Sequence, residues 1–312
     1  LETEYVAGVD ENNVEQVLED IIKAGADIIF CVGPQMMPNS LKVAVEHPEV
    51  YILNCSLNAP HPYIRTYYGR MYEAKFLAGM IAGAVTDNER VAYIADYPIY
   101  GMIANINAFA LGVASVNPRA KVYLAWSKTK DYDRNKFLTE NDLHYVSDQD
   151  IITPNDASRY FGLYKLQDGQ ALNLAMPIWN WGVFYEKLLQ SVLAGSYKAE
   201  GQEQVKALNY WWGMSAGVID LICSKHVPYG VKRLADHLKS DITKGEVVPF
   251  FGQIYDQKGE LKNKGEHEMK PSDIMKMDWL VDNVVGSIPP MSEFVDNAKM
   301  VVELKGVEEN KL

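Results

Sequence analysis

The spacing of hydrophobic residues near the start of the chain switches between two periods. Val14, Leu18 and Ile22 recur every four residues and predict an amphipathic helix that ends at Gly25. Residues 27–32, which follow, are apolar after the first and predict a buried strand. Further strands are predicted at 50–54, 91–95, 121–126, 143–147, 162–166 and 172–178, and helices at 71–85, 103–116 and 183–193. This alternation is typical of parallel sheets with helices on both faces, the doubly wound α/β class.

The residues that follow the predicted strands are candidate ligand contacts, because ligands of such sheets bind beyond the carboxyl ends of the strands. Gln35 follows the first strand, Asn54 ends the second with Ser56 just beyond it, and Tyr97 follows the third. The second half of the chain adds Gln149, Asp150, Tyr164 and Trp179. Rings mixed with amides and carboxylates suit a planar ligand that forms hydrogen bonds. The alternative is that the polar residues cap helices and the rings fill the core.

Composition narrows the classes of function. The 312 residues are 48% hydrophobic, so the chain can bury a large core, and this length suits two lobes better than one. The net charge is −11 at pH 7, and Lys and Arg are dispersed, so we expect no nucleic-acid partner. The nearest candidate for a membrane span, residues 76–85, is about half the ~18 residues required. Its Gly79 and Gly83 predict a helix packed closely on a sheet.

One segment matches a catalytic motif. Residues 213–217 read GMSAG, the G-x-S-x-G pattern of a hydrolase elbow with Ser215 as nucleophile. An elbow needs an apolar strand before it and a histidine well downstream, but residues 209–212 are a poor strand and only scattered histidines follow. We therefore expect that the chain is not an enzyme and keep an α/β hydrolase as a minor alternative.

A pair of carboxylates, Asp148 and Asp150, could equally serve acid–base catalysis or bind one polar ligand. No P-loop, dinucleotide or metal motif is present, and we expect neither cofactor nor metal.

Several longer segments, taken together and in order, resemble one family. The segment RTYYGRMYEA at 65–74 runs into FLAGMIAG at 76–83, and YIADYPI at 93–99 and INAFALG at 106–112 follow. VNP at 116–118, WNWG at 179–182 and MDW at 277–279 continue the pattern. Through these segments the chain resembles the basic membrane protein (Bmp or Med) family, whose members are the substrate-binding proteins of ABC importers.

The resemblance implies the type I periplasmic-binding-protein fold, two Rossmann-like lobes with parallel sheets joined by hinge strands. It implies a purine base or nucleoside, such as adenine or its nucleoside, bound between the lobes, an ABC permease as partner, and an extracytoplasmic lipoprotein. By this resemblance, Trp179 stands where nucleoside-binding members carry a ribose-contacting lysine, so a free base suits the site at least as well. Residues 1–6 align with the family's second strand, and the first strand is expected to be missing from this chain.

Domain boundaries are expected near residues 87–90 and 176–182. The first lobe would comprise 1–88 and about 179–246, and the second lobe 89–178 and about 247–312, the last stretch as a hairpin and helix that wrap the lobes. The same fold serves sensors, so the alternative function is the ligand-sensing domain of a cytoplasmic regulatory protein. An upstream DNA-binding segment would favour the sensor, and a lipobox cysteine would favour the importer component.

Overall fold

The computed structural model describes residues 2–56, 63–149, 159–195 and 210–305. In chain order its helices and strands are α1 (Val14–Lys23), β1 (Ile28–Cys31), α2 (Met37–Glu46), β2 (Tyr51–Cys55), β3 (Arg65–Gly69), α3 (Met71–Val85), β4 (Arg90–Ala95), α4 (Met102–Val116), β5 (Lys121–Trp126), α5 (Arg134–Glu140), β6 (Tyr145–Ser147), β7 (Leu163–Gln167), β8 (Gln170–Trp179), α6 (Trp181–Leu193), β9 (Tyr210–Trp212), β10 (Ile219–Cys223), α7 (Tyr229–Lys244), β11 (Gln253–Tyr255), β12 (Leu261–Lys264), α8 (Pro271–Met275), β13 (Val284–Val285) and α9 (Asp296–Lys305). Among these described residues, no helix has the length and apolar character needed to span a membrane.

The chain folds into two compact units. Unit 1 comprises Leu1–Tyr68 and Tyr185–Trp211, and unit 2 comprises Gly69–Phe184 and Trp212–Leu312. The strands within 28–54 and those within 121–166 lie in separate sheets, as a two-lobed architecture requires. The α/β class predicted from the hydrophobic pattern is therefore confirmed.

Unit 1 is built on a four-stranded sheet in the order β1-β2-β3-β9. β1, β2 and β3 are parallel, and Cys31 of β1 lies opposite Asn54 of β2. The apolar stripe predicted for α1 is buried: Val14 and Leu18 pack into a core with Ile52. The resemblance suggested a strand at residues 1–6; the described part of this stretch, 2–6, forms none, and β1 is the outer strand of the sheet.

Unit 2 contains a seven-stranded sheet in the order β10-β8-β7-β6-β4-β5-β13. β6, β4, β5 and β13 run parallel, as predicted, and β7, β8 and β10 extend the same sheet as strands that pair antiparallel with their neighbours. The reason is local: Asp168 and Gly169, with φ of 52° and 76°, form a two-residue turn between β7 and β8. Such a turn can join only antiparallel strands.

The observed units divide the chain differently from the predicted lobes. Residues 69–88 belong to unit 2 because α3 packs along α4, with Gly79 against the Phe109 carbonyl and Gly112 against the Phe76 carbonyl. The expected partner of the Gly79 face was a sheet, and the observed partner is a helix. Residues 212–246 also belong to unit 2, because β10 pairs with β8.

The C-terminal stretch forms the expected hairpin (β11 and β12) and helix, and it also adds β13 to the edge of the sheet. Asn107 of α4 anchors this stretch. Its Nδ2 donates to the Trp279 carbonyl at 2.7 Å, and its Oδ1 accepts from the Val281 N–H at 3.0 Å. Two of the segments that carry the family resemblance, 106–112 and 277–279, are thus joined by one buried side chain.

Candidate ligand-binding site

The carboxyl ends of β1 and β2 bring together three of the predicted site residues in unit 1. Asn54 is completely buried, and its Nδ2 donates to the Gly33 carbonyl at 2.9 Å. Gln35 is exposed and its amide lies directly over Gly33, where a Cβ would come within 2.9 Å of the Gln35 nitrogen. Ser56, immediately after β2, is buried, and its backbone N–H donates to the Asn54 carbonyl at 3.0 Å.

Two buried polar atoms at this edge have no hydrogen-bond partner among the described residues: Asn54 Oδ1 and Ser56 Oγ. Buried polar atoms in proteins are nearly always paired, because an unpaired one forfeits its hydration without compensation. A polar group of a ligand could supply the missing hydrogen bond to each of these two atoms. The edge therefore has the chemistry expected of a binding site.

The corresponding edge of unit 2 is formed by the parallel strands β6, β4 and β5. Each of these strands is followed by a polar residue: Asp148, Asp96 and Ser127, respectively. Ser127 Oγ donates a hydrogen bond to Asp96 Oδ1, and the Ser127 N–H donates to the Ala95 carbonyl at 2.7 Å. The three side chains thus come to one edge, as the doubly wound architecture predicts.

Asp148 is the centre of a hydrogen-bonded cluster at this edge. Its Oδ2 accepts from the Tyr164 hydroxyl at 2.8 Å, and its Oδ1 accepts from the Gln149 N–H at 2.9 Å. Arg134 Nη2 donates to the same Tyr164 hydroxyl at 2.6 Å, and Arg134 Nε lies 3.8 Å from Asp148 Oδ2. Burial raises the pKa of the Asp148 carboxyl, while these hydrogen bonds and the nearby Arg134 and Lys75 charges oppose the rise.

Arg134 is further held by an aromatic ring. Its guanidinium lies 4.2 Å from the centre of the Tyr160 ring, a cation–π distance, and Tyr160 in turn makes an edge contact with Tyr164. Behind the cluster, the buried Lys75 of α3 donates to Ser147 Oγ at 3.2 Å. The guanidinium is therefore fixed before any ligand arrives.

Tyr164 is brought to the site, but its hydroxyl is already paired with two other side chains. The side chain is fully buried, and its hydroxyl both accepts from Arg134 and donates to Asp148. We interpret it as a positioning residue. Gln149 is exposed beside Asp148, and Asp150 lies outside the described residues.

Tyr97 and Trp179 occupy two other strand ends of unit 2. Tyr97 follows β4 and is half-buried, and burial together with the Asp96 charge raises the pKa of its hydroxyl. Trp179 is the last residue of β8, opposite Ile219, and its ring packs against Gly69, where a Cβ would come within 3.0 Å of it. The Trp179 ring is partly exposed, whereas its indole N–H is buried and unpaired in the part of the chain that the structure describes.

A cavity of about 330 Å³ lies beside α5 in the same unit. Its aromatic wall consists of Trp126, Tyr132 and Phe137. Burial, followed by the charge of Asp148, raises the pKa of Tyr132 to about 12. Within the described ranges, no group of three or more His, Cys, Asp or Glu side chains is placed to hold a metal ion.

Comparison with known proteins decides the family. Residues 1–160, half of the chain, match the family model of PnrA-like ABC transporter substrate-binding proteins, the Bmp family. The chain belongs to this family. Membership in the Bmp family implies a small-molecule ligand and a permease partner.

Two curated proteins are similar to this Bmp-family chain. A purine-binding protein of Brucella abortus (strain 2308) is 26% identical over 303 residues, which cover 93% of this chain and 84% of that protein. A putative ABC transporter glucose-binding protein, TsgA13 of Haloferax volcanii, is 30% identical over 231 residues, 70% of this chain and 57% of that protein.

Solved structures show the same fold. A transcriptional activator of the comK gene from Bacillus halodurans superposes with a TM-score of 0.59 at 14% identity, over 77% of this chain and 87% of that one. An ABC transporter solute-binding protein from Conexibacter woesei DSM 14684 superposes with a TM-score of 0.53 at 17% identity, over 77% and 84% of the two chains. The two-lobed binding-protein fold predicted by resemblance is confirmed.

The Bmp family consists of substrate-binding proteins, and the chain is accordingly not an enzyme. The structure explains why the Ser215 motif misleads. Residues Met214–Ala216 form a short 3-10 turn that leads from β9 into strand β10, whereas a nucleophile elbow leads from a strand into a helix. The motif's first glycine has a packing role: a Cβ on Gly213 would collide with the Glu73 carboxylate, which accepts the Met214 N–H at 2.6 Å.

Sequence reasoning did not select Arg134 or Lys75. Arg134 is the first residue of α5, 14 positions before its partner Asp148, and Lys75 lies within the apolar helix α3. The one available signal was that a Lys in an otherwise apolar helix face must find a polar partner when it is buried.

Proposed function

We propose that this protein is the substrate-binding component of an ABC importer and that its ligand is a purine base or purine nucleoside. The observation that carries the proposal is Trp179, a partly exposed ring that packs against Gly69 at the end of β8 and whose buried N–H has no partner among the described residues. A ring held in this way is suited to stack on a flat heterocycle. The purine-binding relative from Brucella abortus, which aligns with 93% of this chain, supports the same ligand class.

The remaining site residues are assigned by proposal. In unit 1 the proposed ligand contacts are Asn54, Ser56 and Gln35. In unit 2 they are Tyr97, Gln149, Trp179 and Arg134, with Tyr164 holding Arg134 and Asp148 in place. Asp150 is proposed from the sequence alone, because it follows the strand predicted at 143–147.

Trp179→Ala tests the ligand class. If the ring stacks on the base, adenine and adenosine should both lose affinity by a similar factor, worth about 1–3 kcal/mol for a base–aromatic stack. Trp179→Phe retains a ring and should recover most of the loss. The matched control is Trp279→Ala, another half-buried tryptophan of unit 2, located in the C-terminal stretch away from the strand ends. Isothermal titration calorimetry measures all four proteins.

Two outcomes would refute the proposal in different ways. An affinity for adenosine at least about a hundredfold above that for adenine, worth roughly 2.7 kcal/mol of sugar contact, would refute stacking on Trp179 as the main source of affinity. Binding of glucose with no binding of any purine would refute the ligand class, and it would agree with the name of the Haloferax volcanii relative, a putative glucose-binding protein.

A ligand-sensing role is the second candidate, favoured by the structural similarity to a transcriptional activator. Cell fractionation separates the two. An importer component should be found outside the cytoplasmic membrane, anchored or free, and a sensor should be found in the cytoplasm.

A further inference from the structure

Two buried polar side chains, Asn54 and Ser56, lie at the carboxyl end of β2, and the donor or acceptor role of each can be assigned. Asn54 is 0% exposed and Ser56 is 3% exposed, and Asn54 Oδ1 and Ser56 Oγ are both buried without a partner in the described residues. Polar atoms this deeply buried destabilise a protein unless they form a hydrogen bond.

The orientation of the Asn54 amide follows from its neighbour. The Gly33 carbonyl lies 2.9 Å from the side-chain atom assigned as Nδ2, and a carbonyl oxygen can only accept a hydrogen bond. The nitrogen must therefore face Gly33, because the flipped amide would place two oxygens in contact. It follows that Asn54 presents an acceptor, and only an acceptor, at its unpaired side.

Ser40 shows what a structural buried serine looks like in the same unit. It is also 0% exposed, but its hydroxyl donates to the Cys31 sulfur at 3.4 Å. Ser56 has no such contact, although it is buried nearly as deeply and lies at the strand end where ligands of this fold class bind. The difference points to a ligand role for the Ser56 hydroxyl.

We propose that Asn54 and Ser56 form a subsite that selects purines carrying an N–H donor on the six-membered ring, such as the exocyclic amine of adenine. Asn54 Oδ1 accepts from that N–H, and Ser56 Oγ, which can donate or accept, pairs with the adjacent ring atom. This inference rests on the proposed purine ligand. It adds that a purine without such a donor is rejected, since Asn54 Oδ1 then stays buried and unpaired.

The first test is a cycle of two ligands and two proteins. 9-Methyladenine and 9-methylpurine lack the ring N9–H and differ only in the exocyclic amine. Wild type should bind 9-methyladenine about tenfold more tightly, a usual factor for one buried hydrogen bond. In Asn54→Leu, which is similar in size but has no acceptor, the gap should close. Adenine and unsubstituted purine form a second pair, used where the methyl group itself prevents binding.

The second test uses stability and does not depend on Asn54→Leu folding well. Ser56→Ala removes an unpaired buried hydroxyl, so the ligand-free variant should unfold at the same temperature as wild type or higher, yet bind adenine more weakly. Ser40→Ala is the matched control: it should lower the unfolding temperature, because Ser40 loses a real contact, and leave adenine affinity unchanged.

The outcomes separate the inference from the function on which it rests. Equal affinity of wild type for the two members of both pairs, or a gap that persists in Asn54→Leu, would overturn the subsite. So would a Ser56→Ala protein that loses stability and keeps its affinity. If no purine binds wild type at all, the proposed function itself fails.

Discussion

The contact between α3 and α4 provides the most direct test of how this fold is assembled. A Cβ on Gly79 would come within 2.8 Å of the Phe109 carbonyl carbon and closer still to its oxygen, and a Cβ on Gly112 would come within 2.9 Å of the Met80 nitrogen. Since ordinary carbon–carbon contacts are about 3.5 Å, Gly79→Ala must separate the helices by at least about 0.7 Å (3.5 − 2.8), and by more to clear the oxygen. Both helices are buried, so the displaced atoms have no free space nearby.

The expected cost can be worked out from two opposing terms. Overpacking a tight core contact costs up to about 3 kcal/mol. Ala gains about 1 kcal/mol over Gly in helix propensity. The net loss for Gly79→Ala is therefore about 2 kcal/mol, which lowers the unfolding temperature of a unit of this size by about 4–8 °C.

Thermal and urea unfolding of three variants tests the argument. Gly230→Ala is the control, because Gly230 also lies in a helix, α7, but a Cβ there meets nothing within 4 Å, so stability should stay the same or rise slightly. The double variant Gly79→Ala with Gly112→Ala should lose less than the sum of the two single losses, because one separation of the helices relieves both clashes. A Gly79→Ala protein as stable as wild type would refute the close packing.

Three further predictions concern buried polar groups and the serine motif. Burial raises the pKa of the Glu73 carboxyl above its usual 4.5, so the folded state holds this proton more tightly and stability falls as the pH rises from about 4.5. Glu73→Gln should flatten that fall in urea unfolding at several pH values, and an unchanged slope would contradict it. Asn107→Leu leaves the Trp279 carbonyl and the Val281 N–H without their partner and should cost at least about 2 kcal/mol in the same assay; no loss would show that the anchor is dispensable. Ser215→Ala should change neither stability nor ligand affinity, and a fluorophosphonate probe should label neither protein; labelling of wild type alone would reveal a nucleophile.

The elements were predictable wherever hydrophobic spacing is a local property. α3 was predicted at 71–85 and β5 at 121–126, and both occur with those bounds. The antiparallel β7–β8 hairpin was missed although the sequence contains its signal, the Asp168-Gly169 pair between two β-rich runs. The rule that ligands bind beyond strand ends led to Asn54 and Ser56, and the structure places both at one edge.

The local pattern of residues was enough to predict many of the helices and strands, the α/β class and the strand ends that carry polar residues, because each depends on neighbours along the chain. The tertiary structure alone decided which elements associate. α3 joined α4 in unit 2 because two glycines remove the side chains that would keep the backbones apart. It also decided which buried groups are paired: the Tyr164 hydroxyl is satisfied by Arg134 and Asp148, and the Asn54 oxygen is not satisfied. Hydrogen bonding between residues far apart in the chain depends on their separation in space, which no local pattern encodes.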